Sequence, residues 1–91
     1  MNRYTITINC ELLNETGILV ARTLKTIVNA LPRVTDKYMF VASQHFKPIV
    51  VQIQKVIDLD TGLPVFICSG EEVDDTDGIK EVIDHAAFAM D

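Results

Sequence analysis

From Tyr4 to Leu12 the chain alternates without a break: Tyr4, Ile6, Ile8, Cys10 and Leu12 are apolar, while Thr5, Thr7, Asn9 and Glu11 are polar. Period two is the pattern of a β-strand with one buried face. Such a strand needs a second layer over its apolar side, so what covers it decides the fold.

Two segments have the spacing of covering helices. After Asn14, the residues Val20, Leu24, Ile27, Val28 and Leu31 recur every three or four positions up to Pro32. This predicts a helix of about 16 residues with Asn14 as N-cap and Pro32 as its stop. Near the C-terminus, Ile79, Val82, Ile83, Ala86 and Met90 share a helical stripe, predicting a second helix from Gly78 to about Met90. Phe88 falls almost opposite that stripe, among Asp77, Glu81 and Asp84.

Between the helices lie three further strand patterns. Lys37 to Ser43 is aromatic and β-branched, and Ile49 to Asp58 alternates until Lys55, where the pattern slips. A β-bulge accounts for the slip, as does a strand end buried on both faces. Asp60-Thr61-Gly62 then reads as a hairpin loop leading to Leu63–Cys68, with Gly62 supplying a left-handed conformation. Pro64 cannot donate to a ladder, so this arm lies at an edge or leaves the sheet at its proline end. The order βαβββα predicts one α+β domain over residues 1–91, with a four-stranded, mainly antiparallel sheet and both helices on one face. Ninety-one residues suffice for one core.

Charge is segregated. Residues 71–91 hold eight of the thirteen carboxylates and one of the eight Lys and Arg residues, within a net charge of −5. A clustered field of this kind steers encounters with a basic partner and disfavours direct binding to nucleic acid. No apolar run reaches the roughly 18 residues needed to cross a bilayer, and the N-terminal alternation is unlike a signal peptide. The expectation is a cytoplasmic protein without membrane association.

No catalytic or cofactor motif is present. An EF-hand loop aligned on Gly78 would have Val73 at its first ligand position, and Asp58 and Asp60 are explained by the turn they flank. His45 and His85 lie outside any metal-ligand spacing, Ser43 has no nucleophile elbow, and the single glycines make no phosphate loop. Cys10 and Cys68 read as separate buried thiols. The expected protein is therefore not an enzyme and carries no cofactor or metal.

The candidate partner-binding residues are Glu71, Glu72, Asp74, Asp75, Asp77, Glu81, Asp84 and Phe88. Asp74, Asp75 and Asp77 also suit the start of a helix, whereas Glu81 and Asp84 flank Phe88 in a mixed patch. In small size, acidity and lack of motifs, the chain resembles phage-encoded inhibitors of restriction and CRISPR systems, a likeness that covers no motif. It implies a non-catalytic inhibitor whose acidic surface docks onto a basic, nucleic-acid-binding surface of another protein. The rival expectation is a self-associating structural or regulatory module, for which a homodimer is the simplest form.

Overall fold

The computed structural model describes residues 3–13, 16–41, 48–59, 62, 64–84 and 87–90. Among them there is no helix. Seven strands form one mixed sheet: β1 (Tyr4–Leu13), β2 (Leu19–Val28), β3 (Lys37–Phe40), β4 (Ile49–Asp58), β5 (Val65–Val73), β6 (Ile79–Ile83) and β7 (Ala87–Met90). Their order is β6-β3-β4-β5-β1-β2-β7. The α+β expectation of four strands and two helices is thus overturned.

The first expected helix is β2, antiparallel to β1 from Tyr4↔Val28 to Leu13↔Leu19. Val20, Leu24 and Val28 are four apart, which satisfies a helical stripe but also places them on one face of a strand. The other residues decide. Thr26 is buried while Ile27 is 45% exposed, the reverse of the helical reading. Val20, Thr23, Thr26, Ile27 and Val28 are β-branched and favour a pleated sheet over a helix. Asn14, the expected N-cap, lies outside the described residues. Gly17, with φ of 80°, occupies the connection between β1 and β2.

The second expected helix is β6 and β7. Gly78 has φ of 72°, so Asp77-Gly78 is a turn entering β6 instead of a helix start. Ile83 is completely buried, but Val82 is 58% exposed, so the two do not share the expected stripe. The residues of this segment pair as strands, β6 parallel to β3 and β7 antiparallel to β2.

With no helix among the described residues to cover it, the sheet covers itself by curling. β6 and β7 are at opposite ends of the strand order, yet only three residues separate Ile83 from Ala87. That connection spans at most about 15 Å, whereas seven flat strands would put the outer pair about 29 Å apart. Side chains mark the approach of the two ends. The amide N–H and Nδ2 of Asn29, just after β2, both donate to Glu81 Oε1 on β6, at 3.2 and 3.1 Å. Lys80 Nζ donates to the Leu31 carbonyl at 2.8 Å and pairs with Asp36 Oδ2 at 2.6 Å. The enclosed core contains Ile6, Ile8, Leu24, Val28, Tyr38, Phe40, Val51, Ile53, Cys68 and Ile83, each at most 1% exposed.

The slip at Lys55 is a β-bulge: Ile53 opposes Gly70 and Lys55 opposes Ser69, leaving Gln54 as the extra residue. β5 is central, between β4 and β1, so of the two alternatives the edge placement fails and the departure of the chain from the sheet at Pro64 holds. Pro64 sits just outside the ladder, where its carbonyl accepts from the Thr5 N–H at 2.9 Å. Gly62 has the expected left-handed φ of 81°. Strand β5 does not end at Cys68 but continues through Gly70 to Val73.

Gly70 is required for its lack of a side chain. A Cβ there would lie 2.6 Å from Val51 Cγ1 and 3.1 Å from Ile8 Cγ2, both on fully buried residues. Gly70→Ala should therefore lower stability by about 1–3 kcal/mol through overpacking, measured as the urea midpoint at unchanged m-value. An unchanged midpoint would contradict this packing.

Candidate functional site

Strands β1 and β5 run parallel and pair from Thr5↔Val65 to Asn9↔Ser69, and there the ladder stops. Both strands continue: β1 stays paired with β2 to Leu13, and β5 stays paired with β4 to Val73. Two interior strands thus part and leave a notch between them. The β4 bulge lies at the level of Ser69 and Gly70, where the parting begins, and a bulge bends and twists the strand pair that carries it.

Main-chain directions in the notch follow from alternation. Because the Thr5 N–H faces β5, the N–H and C=O groups of Glu11 and Leu13 also face that way. Because the Pro64 carbonyl faces β1, the N–H and C=O of Glu72 and the C=O of Gly70 do likewise. Beyond Asn9 and Ser69 no strand pairing joins these two sets.

The notch opens into a cleft of about 760 Å³, lined by Asn9, Cys10 and Glu11 of β1, Leu19, Ala21 and Arg22 of β2, Gln54 of β4, and Gly70, Glu71, Glu72 and Asp74. This volume falls within the range of about 300–1,000 Å³ usual for ligand sites. Four carboxylates face one guanidinium, giving the lining a net negative charge. Glu11, Glu71 and Asp74 are exposed, whereas Glu72 and Arg22 are half-buried. Arg22 lies directly across the ladder from Cys10. Burial pushes the Cys10 thiol up to about 11, with the nearby Glu72 charge adding to the effect. Burial alone pushes the Cys68 thiol up to about 11. Both cysteines are free, as expected from their spacing.

The structure divides the expected acidic patch. Glu71, Glu72 and Asp74 are brought together at the notch. Asp75 instead pairs with Lys37 Nζ at 2.8 Å, which also donates to the Asp77 carbonyl at 3.0 Å. The Asp75 side chain accepts from the Asp77 N–H at 2.9 Å, and the lysine bond, followed by this one, holds its carboxyl below the usual range. These acids organise a turn; the expected helix-starting role of Asp74, Asp75 and Asp77 is corrected. Glu81 is bound to Asn29, and Asp84 follows β6 as an exposed residue. Phe88 is opposite Leu24 in the β7–β2 ladder, so its helical position beside Glu81 and Asp84 is also corrected.

Glu11, Arg22, Cys10 and Gly70 were not among the expected site residues. Their signals were the slip at Lys55 and the glycine after Ser69, which together mark the parting of the strands. Among the described residues, no three His, Cys, Asp or Glu side chains are grouped to hold a metal, and no helix is long and apolar enough to cross a membrane. His45, His85 and Ser43 lie outside the described residues.

Residues 1–91 match a family of unknown function (DUF5952). The chain belongs to that family. No curated protein and no solved structure matches it.

The two thiols give the protein a pH signature. An unfolded thiol ionises near pH 8.5, whereas these stay neutral to about 11 when folded, so their contribution is complete below pH 8.5 and fades as pH rises toward 11. Urea midpoints should fall between pH 8.5 and 10, and the fall should be smaller in a Cys10→Ala/Cys68→Ala variant. An identical pH slope in that variant would refute the assignment.

Proposed function

We propose that this protein is a non-catalytic binder of a basic protein surface, with the acidic notch end as its contact. A nucleic-acid-binding partner occupied in this way would be inhibited, because carboxylates take the place of phosphates on its Lys and Arg residues. The observation that supports this most directly is the convergence of Glu11, Glu71, Glu72 and Asp74 on one open cleft with Arg22 as its single basic lining residue. Asp75 and Glu81 do not carry the reading, since their carboxylates are bound to Lys37 and Asn29, and Asp77 is not part of the cleft lining.

Sheet geometry supports the same end of the molecule. The carboxylates are held by two interior strands and the turn that follows β5, so their spacing is set before a partner arrives. Preorganised charge costs less to bind than charge on a floppy tail.

The test is retention of a partner from native cell extract at 50 and 300 mM salt, by the wild-type protein and by Glu71→Gln/Glu72→Gln/Asp74→Asn. The reading expects capture at low salt, at least tenfold weaker capture at high salt, and a comparable loss in the variant. It further expects the purified partner to lose nucleic-acid binding when the protein is added. A partner held equally well by the variant would refute the role of these acids.

A further inference from the structure

The notch exposes sheet edges inside the sheet. In most sheets an interior strand has both sides paired; here β1 beyond Asn9 and β5 beyond Ser69 each have one side paired and the facing side without a ladder. The main-chain groups of Glu11, Leu13, Gly70 and Glu72 are therefore turned toward the cleft. Exposed strand edges invite another strand, and a segment that enters brings N–H and C=O groups in the matching arrangement.

We infer that the notch binds an extended basic segment of a partner protein as an added strand, main chain against main chain. The inference rests on the basic-partner reading of the charges and gives it a mode of recognition. Outward-facing side chains of the segment pass Glu11 and Glu71, and inward-facing ones pass Glu72 and the Cys10 thiol. Arg22, half-buried on β2 and lining the cleft, donates to a main-chain carbonyl of the segment. Gly70, which lines the cleft, turns its carbonyl toward the segment.

Two features favour this occupant over a second copy of the chain. A second copy presenting the same end would place four carboxylates against four, and the chain as a whole carries a net charge of −5. Lys and Arg on an added strand supply the opposite sign on either face, and Glu71 and Glu72, consecutive on β5, present one carboxylate to each face.

The probe is an acetylated and amidated octapeptide of alternating Lys and Val, followed by 1H–15N NMR of the full chain at 50 mM salt. Two further peptides are compared: the same sequence with alternate amides N-methylated, and an octapeptide of Lys alone. Strand addition expects the largest shifts at Glu11, Leu13 and Glu72, exchange of these amides slowed at least tenfold, and binding at least tenfold weaker after N-methylation. Equal binding by the methylated peptide overturns strand addition, as do shifts centred elsewhere or no binding at millimolar peptide.

The Glu71→Gln/Glu72→Gln/Asp74→Asn variant separates the two levels. Charge-dependent binding that ignores N-methylation leaves the basic-partner reading standing and removes the strand mode. Binding insensitive to these substitutions removes the basic-partner reading. A concentration-dependent dimer whose interface maps to the same three amides assigns the notch to a second copy and overturns the inference.

Discussion

The structure depends on the close passage of β4, β5 and β1 at Gly70. Val51 and Ile8 reach toward the same point from the two neighbouring strands, and no Cβ fits between them. This contact holds three central strands together at the level where their regular pairing ends. On one side the β1–β5 ladder is continuous and the core residues are buried; on the other, the β4 bulge accompanies the separation of β5 from β1. One crowded glycine position thus marks both a close packing of three strands and the start of the sheet's opening. The fold's second constraint is covalent: three residues between β6 and β7 require the ends of the strand order to approach, and the sheet becomes its own cover.

That arrangement changes what the C-terminal charge means. Acids that form a cluster in the sequence are divided by the fold into those that secure turns and strand ends and those that line an open cleft. Asp75 is paired with a lysine, which offsets its charge, while Glu81 is held in place by the Asn29 amides at the seam between the two ends of the sheet, away from the cleft lining. Glu71, Glu72 and Asp74 join Glu11 from a distant part of the chain, and the resulting site has both charge and unpaired strand edges. Either feature alone is common on proteins. Their coincidence in one notch is what the proposal of a basic, extended ligand rests on.

The alternation of β1, the extent of β4, the slip at Lys55 and the left-handed Gly62 were legible because each depends on neighbouring residues alone, whereas the β4–β5 register was needed to decide that the slip is a bulge. The helices were not, for a specific reason: Val20, Leu24 and Val28 satisfy both a period of about four and a period of two. Thr26 facing the core and Ile27 facing out resolve the ambiguity only once tertiary structure is known. Gly17 and the Asp77-Gly78 step were the local warnings, since both suit turns better than helix starts. The β1–β5 pairing brings together segments some sixty residues apart, and no local pattern reports it. For that reason half of the candidate site was found from the acidic run, whereas Glu11, Arg22 and Cys10 emerged only with the sheet order.

The central claim is that β1 and β5 part after Asn9 and Ser69, and amide hydrogen exchange of the free protein measured residue by residue tests it most directly. The account predicts slow exchange at Thr7, Asn9 and Cys68, whose N–H groups lie in the β1–β5 ladder, and fast exchange at Glu11 and Glu72, whose N–H groups face the notch. Protection of Glu11 and Glu72 equal to that of Asn9 and Cys68 would show a closed sheet and contradict it.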